Sequence, residues 1–256
     1  MARQTGDIRL TGSLGGISYY YDSRNGYLAR KKSKLNRDRV LSDPAFGKTR
    51  ENASDFGTAS RASGLFRSAF NPLLQKIPAR LLHLRLIPEF MKVIRSDRGH
   101  ARGSRKIAGG DLGFLLHFEF NKHTEAKVYV PYTVNISREK GEAEIVFGDF
   151  IPHNYIRSVP GSTHFQFISA VAEIDFENST YHVDTCESRM VIIGPQREEP
   201  IHLKLVLAGN DPNPVFVVLG AKFYSGIDGT SDAVRNGISD WYKIVAIDIG
   251  KAQVQI

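Results

Sequence analysis

The sequence predicts a mainly β protein, an antiparallel β-sandwich of jelly-roll or immunoglobulin-like type, preceded by an α+β amino-terminal part with a small β-meander and two to three helices. Three observations carry that expectation. From residue 112 onward the hydrophobic period changes to two. About nine runs rich in Val, Ile, Phe and Tyr follow, separated by turn-forming clusters. Almost no helical material lies between them, so the crossover helices of a parallel sheet are missing. The 256 residues are 41% hydrophobic and include 15 Phe and 10 Tyr. That is enough apolar material for one main core plus an appendage, and it excludes wholesale disorder.

The chain opens with two strand-like runs, Ile8–Thr11 and Ile17–Tyr21, around a turn formed by Gly12, Leu14, Gly15 and Gly16. A second turn at Arg24-Asn25-Gly26 leads into Tyr27–Arg30, and Asn-Gly is a strong hairpin signal because both residues tolerate positive φ. Three short strands have little core of their own, so the meander is expected to borrow stability from the main domain or a neighbouring subunit.

Next comes a dense cationic cluster: Arg30, Lys31, Lys32, Lys34, Arg37 and Arg39. Beside Tyr19, Tyr20, Tyr21 and Tyr27 it has the ingredients of a nucleic-acid surface, with cations for phosphates and rings for bases. The same residues suit cross-strand tyrosine pairs and lysine edge protection, and no base-reading motif accompanies them.

Ser42-Asp43-Pro44 reads as a helix start. Helical spacing then runs from Phe46 to Phe70, interrupted by Gly57 and Gly64 and ended by Asn71-Pro72. A second helix, or two short ones, covers Leu73–Ile94 with Leu74, Ile77, Leu81, Leu84, Ile87, Met91 and Ile94 inward, and Pro78 and Pro88 are expected to break or bend it. Residues 95–110 lack apolar periodicity and are rich in Gly, Ser and Arg, as in a mobile or partner-ordered connector. They carry a second cationic cluster, Arg102, Arg105 and Lys106. The domain boundary is placed there: a basic arm over 1–110 and an acidic sandwich over 111–256.

Charge follows the same division. Residues 1–110 hold 22 Lys and Arg against 8 Asp and Glu, a net of +14, and residues 111–256 hold 12 against 19, a net of −7. Such polarity points to an anionic partner for the arm or to contact between opposite ends of neighbouring copies.

Signals of catalysis are missing: there is no Gly-rich phosphate loop, nucleophile elbow or paired-His helix, and no cofactor signature. Glu173 and Asp175 alternate onto one strand face, as do His182, Asp184 and Cys186, a spacing open to metal ligation but more often a solvent face. Trp241, Tyr242 and Tyr224 are candidates for an aromatic carbohydrate or small-ligand platform. The single cysteine, Cys186, excludes an internal disulfide and a multi-cysteine zinc site. No run approaches the roughly 20 apolar residues of a membrane span and no signal-peptide pattern opens the chain, so synthesis in the cytoplasm and no membrane partner are expected.

Thr11–Tyr20, Gly26–Arg30 and Asp43–Gly57 together resemble a family of proteins from Bacteroidota and their phages or proviruses. The likeness continues through Glu173–Phe176 and Pro214–Tyr224. It carries no catalytic residues to transfer, and it implies a bacterial or phage setting and a structural role. The leading expectation is therefore a non-enzymatic subunit of a phage or phage-like particle, capsid-like or tail-like, that self-assembles through arm and body and ends in the virion or particle. A sequence-nonspecific nucleic-acid-binding protein and a carbohydrate or small-ligand-binding sandwich are the alternatives.

Overall fold

The computed structural model describes residues 2–32, 36–75, 79–122, 124–209, 212–226, 232–234 and 240–250, with the backbone alone for 79–81 and 232. Its contacts divide the chain into two compact units, Met1–Arg50 and Glu51–Ile256.

The first unit holds β1 (Ala2–Arg3), β2 (Gly12–Leu14), β3 (Ile17–Asp22) and β4 (Gly26–Lys31), paired antiparallel in the order β1-β4-β3-β2, and then α1 (Arg37–Ser42). Gly15 and Gly16, at φ 57° and 78°, form the two-residue turn between β2 and β3, where the twist of the strands favours positive φ at both positions. The expected turn between β3 and β4 is present: the Asp22 carboxylate accepts from the amides of Arg24 and Asn25 at 3.0 and 2.9 Å. The expected strand at Ile8–Thr11 is not. The Gln4 side chain takes up both the amide and the carbonyl of Leu10, at 2.8 and 3.1 Å, and strand pairing starts instead at Gly12. Asn36 caps α1, and Asp43 accepts from the Ala45 amide at 2.9 Å in the short helical turn Pro44–Phe46, where a helix start was expected.

The long helix α2 (Gly47–Ala69) runs through Gly57 and Gly64 without a break. It is followed by α3 (Asn71–Leu74) and α4 (Ala79–Ser96). α4 also continues through Pro88. Leu84 and Pro88 are both exposed, so the carbonyl that proline leaves without a helical donor lies on the solvent side. The inward stripe is Leu82, Leu86, Ile87, Phe90, Val93 and Ile94, whereas Leu84, expected inside, is 57% exposed. Ile77, Pro78 and the side chain of Leu81 lie outside the described residues.

The remaining strands are β5 (Lys127–Val128), β6 (Tyr132–Ser137), β7 (Glu142–Phe147), β8 (Ile156–Arg157), β9 (His164–Asp175), β10 (Thr180–Glu187), β11 (Val191–Ile192), β12 (Ile201–Val206), β13 (Val215–Ser225), β14 (Asp232–Ala233) and β15 (Trp241–Asp248). The short helix α5 (Pro152–Tyr155) precedes β8. β9 and β13 pair along ten residues at the centre of the largest sheet. β10 and β11 extend it beyond β9, β14 and β15 extend it beyond β13, and every pairing is antiparallel.

Both faces of the central pair are covered. Ile168, Ala170, Ala172 and Ile174 of β9, with Phe216 and Val218 of β13, share a core with α2 and α4. Phe66 ties these layers together, its ring 5.1 Å from that of Phe216 and 5.8 Å from that of Phe90. The alternate residues, Phe165, Phe167 and Val171 with Val217, Leu219 and Phe223, share a second core with the sheet β12-β7-β6. Burial on two sides explains why β9 and β13 read as nearly continuous apolar runs. The architecture is a β-rich α+β fold in which helices form one layer of the body.

The contact boundary therefore falls between Arg50 and Glu51, well ahead of the compositional change at residue 110. This reorganises the charge. Residues 1–50 carry 11 Lys and Arg against 4 Asp and Glu, while residues 51–256 carry 23 against 23. The whole net charge of +7 belongs to the first unit. The cationic surplus of residues 51–110 is balanced in number within its own unit by the net −7 of residues 111–256.

Candidate anion-binding surfaces

In the first unit the pairing register decides which side chains meet. Directly opposed residues of an antiparallel pair share a face. Ser18 and Tyr20 therefore lie with Leu28 and Arg30, and Ile17, Tyr19 and Tyr21 lie with Tyr27, Ala29 and Lys31. The Arg30 guanidinium stands 5.4 Å from the centre of the Tyr20 ring, and Arg9 stands 5.2 Å from that of Tyr27. Tyr21 and Tyr27 are in ring contact at 5.0 Å. Lys32 is exposed just beyond β4, and Lys34 lies outside the described residues. Arg37 and Arg39 belong to α1, where Arg39 pairs with Asp43 at 3.2 Å and sits over the Phe46 ring at 5.9 Å. The first cluster is thus spread over both faces of a sheet and a following helix, with rings beside some of its cations.

The second cluster lies on the loop joining α4 to the strands, in the second unit. Instead of a mobile connector, this loop is held by two buried carboxylates. The Asp97 side chain has no solvent exposure. One oxygen accepts from the Gly99 amide at 2.9 Å, and the other from the Lys106 amide at 2.9 Å and His100 Nδ1 at 2.8 Å. The Lys106 amide, supported by Gly99 and His100, holds the Asp97 carboxyl below the usual carboxylate range against the opposing effect of burial. Asp55 of α2 accepts from the Gly103 amide at 3.0 Å and from Arg105 Nη1 at 3.4 Å, and Ser54 Oγ donates to the Gly103 carbonyl at 2.7 Å. Gly103 has φ 89°, and a Cβ there would lie 2.9 Å from the Glu51 Cα, so only glycine lets the loop press this closely onto α2.

The three cations singled out in this loop all have carboxylate neighbours. Arg102 lies 3.8 Å from Glu51, Arg105 contacts Asp55, and Lys106 contacts Glu177 at 3.1 Å. Arg95, in the last turn of α4, has no ion-pair partner among the described residues. With Asn52, Asp55, Arg102 and Arg105 it lines a cleft of about 420 Å³.

Other candidates are engaged elsewhere. Of the three residues of the candidate aromatic platform, Trp241 and Tyr242 are 3% and 2% exposed and belong to the core, while Tyr224 is half-buried. Burial also pushes the Tyr242 phenol far above its ordinary pKa. Glu173 faces His182 in the β9–β10 register but is buried and accepts from the Ala208 amide. Asp184 accepts from the Val206 amide at 2.8 Å, and Asp175 caps the turn at Glu177 and Asn178. Among the described residues no group of three His, Cys, Asp or Glu side chains has metal-binding geometry, and no helix is long and apolar enough to cross a membrane.

Sequence reasoning missed the roles of Asp55, Asp97 and Arg95. The stretch Asp97-Arg98-Gly99 carries the one local signal, an Asp positioned to bond the amide two residues on. Asp55 gives no such cue, because its partners lie 48 and 50 residues away. No protein family, curated protein or solved structure matches the chain.

Proposed function

We propose that this protein is a non-enzymatic structural subunit of a phage or phage-like particle, capsid-like or tail-like, that assembles by docking its amino-terminal unit onto neighbouring copies. The observation that carries this reading is the poverty of that unit's own core. Among its described residues Leu28 is the one buried hydrophobic side chain, while Ile8, Leu14 and Tyr21 are 82%, 69% and 60% exposed. A small sheet with so little buried area needs a partner surface.

The concentration of the full net charge in the same fifty residues adds a second argument. Copies brought together through these units repel one another unless an anionic polymer lies among them. The ring-and-cation pairs Arg30–Tyr20 and Arg9–Tyr27 favour a second reading, sequence-nonspecific nucleic-acid binding without a shell.

Light scattering and negative-stain electron microscopy of the full chain, at about 50 and about 200 mM salt with and without nucleic acid, separate the two. Regular assemblies that disappear in a Leu14→Ser, Ile17→Ser double variant are the expected result. A monomer under all conditions that binds nucleic acid overturns the particle reading in favour of the second. A monomer that binds none overturns both.

A further inference from the structure

We infer that the cleft between α2, the end of α4 and the 97–111 loop binds a terminal phosphate group, either inorganic phosphate or a phosphomonoester. The inference rests on the second unit alone and goes beyond the assembly role. Three guanidinium groups, Arg95, Arg102 and Arg105, reach one concavity of about 420 Å³ from two different segments, a volume within the roughly 300–1,000 Å³ typical of small-ligand sites.

The charge at the cleft is unbalanced. Among the described residues Asp55 is the only carboxylate in its lining; its side chain is 3% exposed and its oxygens are already engaged by Gly103 and Arg105. Glu51 stands 3.8 Å from Arg102 with both side chains close to half exposed, so water screens that pair. Three cations against one lining carboxylate leave two positive charges facing the cleft.

Arg105 supplies a further observation. Its Nε is buried and has no hydrogen-bond acceptor among the described residues. Asp55 takes one guanidinium donor, Nη1 at 3.4 Å, and the outer donors of the fork remain for an oxyanion in the cleft that Arg105 lines. The site also needs little reorganisation, since Asp97 and Asp55 already hold the loop that presents Arg102 and Arg105. A long irregular loop ordered by buried carboxylates is the kind of segment that carries function.

Charge selects the ligand class. A terminal phosphate carries about −1.5 to −2 at pH 7, matching the two unbalanced cations, while each phosphodiester of a nucleic acid carries about −1. The planar, multidentate guanidinium fork suits a tetrahedral oxyanion better than a point charge does.

Isothermal titration of the full chain with inorganic phosphate, at constant ionic strength, tests the assignment. Saturable binding of one phosphate is expected, strengthening from about pH 6 to about pH 7.5 as the dianion forms. Arg95→Gln and Arg102→Gln, at exposed positions, should each weaken it about tenfold or more while thermal melting stays unchanged. Asn52→Asp, which adds a carboxylate to an exposed lining residue, should weaken it at least as much. Absence of saturable binding up to about 10 mM phosphate, or binding indifferent to all three variants, overturns the site. A short oligonucleotide lacking terminal phosphates is the control. If it binds as tightly as phosphate and loses affinity in Arg95→Gln, the terminal-phosphate assignment is overturned in favour of a phosphodiester site.

Discussion

Replacing Asp97 by alanine removes the acceptor around which the 97–111 loop closes. Three donors lose their partner: the amides of Gly99 and Lys106 and the ring nitrogen of His100. A hydrogen bond to a charged group contributes about 1.5–3 kcal/mol when both partners are sheltered, and less when a freed donor regains water. At about 1–1.5 kcal/mol for each of three, the expected loss is about 3–5 kcal/mol. That is a large part of the roughly 5–15 kcal/mol that holds a typical domain. Asp97→Asn keeps one acceptor oxygen but turns an NH₂ toward donors, so roughly half that loss is expected.

The measurement is urea denaturation combined with amide hydrogen exchange, in which the Gly99 and Lys106 amides should lose protection in the alanine variant. The pH dependence has a definite sign. The carboxyl pKa is lowered in the folded state, so its stabilisation is complete above the unfolded value of about 3.9 and fades as pH falls through the folded value. The stability gap between the protein and its Asp97→Asn variant should therefore be level above about pH 5 and narrow below about pH 4. A loss under about 1 kcal/mol, or an undiminished Lys106 amide, refutes the view that this carboxylate organises the loop.

Gly220→Ala should cost about 3 kcal/mol or prevent folding, because its Cβ would lie 2.2 Å from Cδ1 of the buried Tyr242 ring, whose hydroxyl donates to Asp240 at 3.3 Å; an unchanged melting temperature would show that the ring can move aside. Changing Arg30, Lys31, Lys32, Lys34, Arg37 and Arg39 to serine should weaken nucleic-acid retention and flatten its salt dependence by about 0.9 in logarithmic slope per lost phosphate contact. Circular dichroism of that variant should retain the strand signal of residues 51–256, and unfolding of this unit would contradict the two-unit division.

Hairpin chemistry, helix caps and strand periodicity were legible in the residues because each is set within a few positions. Asn25-Gly26 and Asp43-Pro44 marked a turn and a helical start, and the period of two after residue 112 marked strands, among them β7 and β12 with one buried face each. Local pattern misleads where a contact beyond the neighbouring residues decides the outcome. Ile8–Thr11 has strand composition, but Gln4 occupies the backbone groups of Leu10. Leu84 fits an apolar stripe, but α4 turns Leu86, Phe90 and Val93 into the core instead.

The candidate site shows the same division of information. Composition identified Arg102, Arg105 and Lys106 as a cationic group, and Gly, Ser and Arg content suggested a loose connector. Tertiary folding decided that the segment is held by Asp97 and Asp55, that Arg95 joins it across the cleft, and that residues 51–256 form one unit with no net charge. Local propensity acts over one or two turns of chain and can be read in order. Asp97 closes its loop over two to nine residues, whereas Asp55 and the charge balance act between segments about fifty or more residues apart, and their burial exists only once the layers have packed.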